Sequence, residues 1–369
     1  MPAAAAPHRQ LLGGILLLLL WRPAAVRARV TAVIVFGDST VDAGNNNAVP
    51  TVVRSNFPPY GRDFPGRRAT GRFCNGRLAT DFYSEAYGLR PFVPAYLDPD
   101  YGIRDFATGV CFASAGSGLD VATAGVFVSK FTPTQPKSYS SIFNLRTIVL
   151  CSYDAGVDPP NQIRLNLSRY PKIGLGILIH SISSFRFPPN RSESASKSSQ
   201  PNSSVIPLWK QVEYFREYKR RLAAHLGAAE AEGVVSDAVY AISVGTNDFI
   251  ENYFAGTTRR YLQFGVGEYT DFLVGLARGL LVELYGLGAR KVAFTGLAAA
   301  GCLPLVRARR MMLCAEEYNA AARAFNDALR GMVAELADDL PGAHLRFADV
   351  YDFFADILGD PARYGKLYR

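Results

Sequence analysis

The fold class predicted is α/β: a three-layer α/β/α sandwich around a mainly parallel sheet. Four short runs, 31–36, 238–244, 290–295 and 344–350, have the length of strands; the first is rich in β-branched residues and the second is apolar. Between them lie longer segments with apolar residues near helical spacing, at 78–87, 209–226, 269–285 and 315–336. Strands alternating with helices are the pattern of a parallel sheet covered on both faces. The first two strand runs also share a punctuation. Each stops at a glycine followed by polar side chains, at the carboxyl edge where open α/β sheets bind ligands.

Ahead of the first strand, residues 1–28 read as a secretory signal. Arg9 supplies the charge, residues 11–21 the apolar stretch, and Val26-Arg27-Ala28 a small-residue cleavage site. The apolar stretch is too short for an integral membrane span. A secreted, extracellular protein with a mature start near Arg29 is expected.

The first strand ends at Gly37, and Asp38-Ser39-Thr40-Val41-Asp42-Ala43-Gly44-Asn45-Asn46 follows. Ser39 stands just past a rigid strand, near backbone N–H groups suited to holding an oxyanion. A lone Gly-Asp-Ser would read as a turn and helix cap. The longer string from Phe36 to Asn46 resembles the first block of the plant GDSL esterase/lipases, within the SGNH hydrolase superfamily. Thr40 stands where the family's name has leucine. The resemblance implies that Ser39 is the nucleophile and that the sandwich is of the SGNH, flavodoxin-like kind.

Further blocks agree in order. Residues 50–76 are loop-rich, and their arginines read as solvated. Asn56-Phe57-Pro58-Pro59-Tyr60-Gly61 and Gly71-Arg72-Phe73-Cys74-Asn75-Gly76-Arg77 resemble the family here. Gly109-Val110-Cys111-Phe112-Ala113-Ser114-Ala115-Gly116-Ser117-Gly118 is a small-residue stretch that lets backbone approach a ligand. It resembles the second block, which implies an oxyanion-hole N–H from Gly116, with Ala115 the alternative alignment. Val244-Gly245-Thr246-Asn247-Asp248 matches the third block. It implies that Asn247 aims its uncharged amide at the same oxyanion. Gly296-Leu297-Ala298-Ala299-Ala300-Gly301-Cys302-Leu303-Pro304 resembles a later signature, with alanines in place of the usual double proline. The resemblance spans 31–127 and 205–369, the two parts of one hydrolase domain.

Residues 128–204 depart from the pattern. They are rich in Ser, Pro and Asn, lack a sustained period, and hold all three glycosylation sequons, at Asn166, Asn190 and Asn202. They carry nine Lys/Arg against three acids, most of the chain's net charge of +8. The high pI therefore does not mark a nucleic-acid face. In the family, Phe127 would join Val205 almost directly. The segment is expected to be a poorly ordered, intron-like insertion.

Five cysteines occur, at 74, 111, 151, 302 and 314. Cys302 and Cys314 suit a short loop in an oxidising compartment, which the family context supports. Cys74–Cys111 is a pairing that spacing alone leaves open, and Cys151 is the odd thiol. No Cys/His spacing suggests a metal site, and no cofactor is expected.

Serine needs a base within hydrogen-bond reach. The family carries it on an Asp-x-x-His motif near the C-terminus, and that motif occurs nowhere in these 369 residues. The C-terminal part of the domain therefore reads as truncated. Of the four histidines, His8 lies in the signal and His180 in the insertion. His225 suits the last turn of a helix, and His344 opens a strand at the sheet's amino edge.

The sequence thus predicts a secreted serine ester hydrolase for small-molecule, lipid or glycan esters. The alternatives are a member impaired for want of its base, or a carbohydrate deacetylase or acyltransferase on the same scaffold. The oligomeric state stays open.

Overall fold

The computed structural model describes residues 30–130, 205–256, 258–360 and 363. The expected signal at 1–28 lies outside them, as do Cys151, expected to be the odd thiol, and all but the first three residues of the expected insertion. Those three, 128–130, continue a helix.

Five strands, β1 (Val33–Gly37), β2 (Gly109–Cys111), β3 (Val239–Ser243), β4 (Lys291–Thr295) and β5 (His344–Ala348), form one sheet. Their order is β2-β1-β3-β4-β5, and every neighbouring pair is parallel. Four of them are the predicted runs. β2 falls in the stretch read only as a small-residue turn. Three residues are too few for alternation to register, and pairing with residues 33–35 is what makes them a strand.

The longer helices are α1 (Ala79–Ala86), α2 (Val121–Lys130), α3 (Leu208–Leu226), α4 (Ala228–Asp237), α5 (Val266–Gly286), α6 (Glu316–Asp339) and α7 (Tyr351–Gly359). α1, α3, α5 and α6 answer to the four helical patterns. α5 starts three residues early because Glu268 accepts from the Gly265 N–H at 2.7 Å, a cap on the first turn.

Successive strand residues point to opposite faces. Ile34, Phe36, Tyr240, Ile242, Val292 and Phe294 join the core built with α3, α5 and α6. Val33, Val35, Ala241 and Cys111 pack on the other side with Leu78, Val93 and Ala95, beneath α1 and the loops around it. These are the three layers. In α3 the buried positions include Val212, Phe215, Tyr218 and Leu222, as expected, but Trp209 is exposed and Gln211 is buried in its stead. Polar Gln211 faces inward because the first strand's end needs its amide, as described below.

One loop expectation is corrected, and one open pairing is closed. Arg72 is buried, not solvated: its Nε meets the Asp81 carboxylate at 3.0 Å, and a terminal nitrogen donates to Val93 O at 2.9 Å. A buried guanidinium needs such partners to offset the water it loses. Cys111 is a free, buried thiol, so the Cys74–Cys111 pairing is not formed. Cys302 and Cys314 are joined.

Candidate active site

The register aligns Gly37, Ser243, Thr295 and Ala348 across the carboxyl edge, and Val33, Val239, Lys291 and His344 at the amino end. The Ser39 turn therefore leaves the sheet beside the end of β3.

Gly37 makes the sharp departure possible. Its φ is +147°, and a Cβ built there would sit 2.0 Å from the Ser243 carbonyl oxygen. That close approach lets the Asp38 N–H donate to the same oxygen at 3.0 Å. Gln211 clasps Gly37 from below: Oε1 accepts from its N–H at 3.0 Å, and Nε2 donates to its carbonyl at 2.9 Å. Gly37→Ala is expected to cost about 3 kcal/mol, the upper end of the usual range for overpacking a buried position. Chemical denaturation would measure it, and a loss below about 1 kcal/mol would mean that the two strand ends separate freely.

The next residues stitch this turn to the one after β2. Asp42 accepts from the N–H groups of Gly44, Asn45 and Ala115 at 2.7, 2.9 and 2.9 Å. Asn45 donates to Cys111 O and Ala113 O, and Asn46 to Val53 O and Ala115 O, all at 2.8–2.9 Å. Gly116 follows at φ 85°, in the left-handed region open to glycine.

The turn after β3 joins the same assembly. Asn247 Nδ2 donates to Ser117 O at 2.8 Å, leaving one amide hydrogen uncommitted to that bond. Asp248, fully buried, accepts from the Leu119 and Asp120 N–H groups, both at 2.9 Å, and from Thr123 Oγ1 at 2.6 Å. Behind it Asp120 pairs with Arg260 at 2.8 Å and accepts from Asn252 and Tyr269. The three turns holding Ser39, Gly116 and Asn247 are thus bound to one another by side chain–backbone bonds.

Within this mesh three backbone groups differ. The Ala115 N–H is committed to Asp42. The Ser39 and Gly116 N–H groups, and the half-buried Ser39 hydroxyl, make no hydrogen bond to any described residue.

Burial is the main influence on the acids here. It pushes Asp38 up to about 6, and Asp42 and Asp248 up to about 7, against the weaker opposite pull of their N–H and hydroxyl donors. An unfolded Asp releases its proton near pH 3.9. Between about pH 4 and 7 the folded chain thus holds protons that the unfolded chain has lost. Stability is expected to fall as pH rises through that window and to level off above it, by up to about 1.4 kcal/mol per unit for each group. Denaturation midpoints measured from pH 4 to 8 check this. A midpoint that rises over the window would mean that the donors keep the carboxylates ionised.

The described histidines lie far from this edge. Gln211 touches Gly37 near the start of α3, and His225 lies in the last turn, about 21 Å along the axis at 1.5 Å per residue. His344 opens β5 at the amino end, about 13 Å below the carboxyl edge.

Sequence reasoning named Ser39, Gly116 and Asn247, and the fold brings their turns to one edge. It missed Gln211 and the structural work of Asp42 and Asp248. A polar residue at an apolar helix position was the available signal for Gln211.

An open parallel sheet with a serine turn, a glycine turn and an asparagine turn bound together at its carboxyl edge defines an α/β protein of the class that places ligand sites at that edge. The chain belongs to the GDSL-like lipase/acylhydrolase family, whose model matches residues 33–365. It is 43% identical over 341 residues to GDSL esterase/lipase At2g42990 of Arabidopsis thaliana, covering 92% of this chain and 75% of the relative. It is 41% identical over 340 residues to GDSL esterase/lipase At2g04570 of the same plant, covering 91% of this chain and 75% of the relative. Among the described residues no helix is long and apolar enough to cross a membrane.

Proposed function

We propose that this chain is a secreted serine ester hydrolase acting on small-molecule, lipid or glycan acyl esters. The observation that carries the reading is the pair of unclaimed N–H groups, on Ser39 and Gly116, in turns tied to the one whose Asn247 amide donates to Ser117 O. Ser39 Oγ attacks the acyl carbon as its proton passes to a base. The carbonyl oxygen takes up negative charge, and the three donors hold it. The base then protonates the departing alcohol, and water releases the acyl group from Ser39 by the same steps. Gly116 is preferred to Ala115 as donor because the Ala115 N–H is spent on Asp42.

The base belongs on an Asp-x-x-His motif, which these residues do not carry. Residues 1–28 as a leader and the Cys302–Cys314 disulfide support export to an oxidising compartment. A second reading, a binding protein impaired in turnover, is favoured by the remoteness of His225 and His344 from Ser39. Hydrolysis of a short acyl ester separates the two when a base is supplied. Turnover that then requires Ser39 supports the hydrolase, and a folded chain without turnover supports the binder.

A further inference from the structure

The connection from β4 to α6 leaves the carboxyl edge of the sheet and carries a feature that ester hydrolysis does not use. Its tip, Met311-Met312-Leu313, turns three consecutive apolar side chains to solvent, with 90%, 59% and 67% of their surface exposed. Scattered exposed apolar residues are ordinary; a contiguous apolar tip is the kind of feature that marks an interaction site.

The tip has a definite shape. The Met312 N–H donates to Arg307 O at 2.8 Å and the Leu313 N–H to Arg310 O at 2.9 Å. Arg307 Nε donates back to Met312 O at 2.8 Å. The Cys302–Cys314 disulfide closes the base of the loop. Met311 and Met312 take φ values of 48° and 67°, a left-handed conformation that methionine seldom adopts. The fold thus holds apolar groups outward at a cost in backbone strain, as functional sites do.

Charge tells which surface the tip fits. Arg307, Arg309 and Arg310 precede it, and Arg309 and Arg310 are exposed. Glu316 and Glu317 follow, but each already pairs with an arginine, Arg323 and Arg310. Arg309 makes no ion pair among the described residues.

We propose that this tip is an interfacial anchor that seats the molecule on an anionic phospholipid surface. The Met311, Met312 and Leu313 side chains enter the acyl boundary, and Arg309 meets a headgroup phosphate. A three-residue tip offers far less than the roughly 1,200 Å² that a stable protein interface buries. Flexible thioether side chains suit a surface without fixed shape. Docking in this way turns the Ser39 edge toward the lipid, and the docking itself stands whether or not Ser39 turns over an ester.

Co-sedimentation of the intact chain with vesicles tests it, using phosphatidylcholine alone or with phosphatidylserine, at low and high salt. The chain is expected to bind the mixed vesicles and to release as salt rises. Met311→Ser, Met312→Ser and Leu313→Ser together should lower partitioning by about 10²–10³-fold, about tenfold for each partly inserted side chain. Arg309→Gln should lower it about fivefold on anionic vesicles and leave it unchanged on neutral ones. Met312→Trp, which keeps the tip apolar, should shift its emission to the blue when mixed vesicles are added. Failure of the folded chain to bind mixed vesicles overturns the proposal, as does equal binding by the triple serine variant. Self-association that the triple variant abolishes would assign the tip to a second copy instead.

Discussion

Joining an Asp-x-x-His segment from a close relative to Arg369, with residues 128–204 removed so that Phe127 meets Val205, is expected to raise hydrolysis of a short acyl ester by at least about 10³-fold. A serine hydroxyl at neutral pH is a weak nucleophile, and oxyanion donors in general act only once attack has begun. Histidines at the far end of α3 and at the amino end of β5 cannot take the Ser39 proton across that distance. Supplying the base therefore changes the step that limits the reaction. Ser39→Ala in the lengthened chain should return hydrolysis to that of the unmodified one. Two results sink the idea. A lengthened chain that folds and stays inactive would mean that the matching blocks report ancestry alone. Strong hydrolysis by the unmodified chain that survives His344→Ala would place the base on another residue.

In that lengthened chain, Asn247→Ala should lower kcat by about 10²–10³-fold with KM little changed, the scale for removing one oxyanion donor. In the proposed role the neutral amide gives its bond where charge develops, so its loss is to be felt in the transition state more than in the bound ester. Asn247 also donates to Ser117 O, so the variant leaves that carbonyl without its partner. A kcat and KM comparison at matched folded fraction, checked by circular dichroism, separates the two effects. A fall below tenfold in kcat would remove Asn247 from the oxyanion hole and leave it a tie between turns.

Long elements were legible because their apolar residues repeat. α3, α5, α6 and the strands β1, β3, β4 and β5 each bury one face or both, and burial writes a period of 3.6, an alternation or a short apolar run into the chain. Ser39, Gly116 and Asn247 were legible for a different cause. Each lies in a string long enough to resemble a known block, and the first and third follow directly on a readable strand.

What the linear chain left undetermined was decided by contacts between distant residues. β2 is a strand only because residues 33–35 supply its partners. Arg72 is buried only because Asp81 and Val93 O receive it, and Gln211 faces inward only because Gly37, 174 residues away in sequence, presents its N–H and carbonyl. The choice between Ala115 and Gly116 as donor is open in one dimension. In the fold the Asp42 carboxylate takes the Ala115 N–H and leaves that of Gly116 unclaimed, and side-chain hydrogen bonds of that kind have no period to announce them.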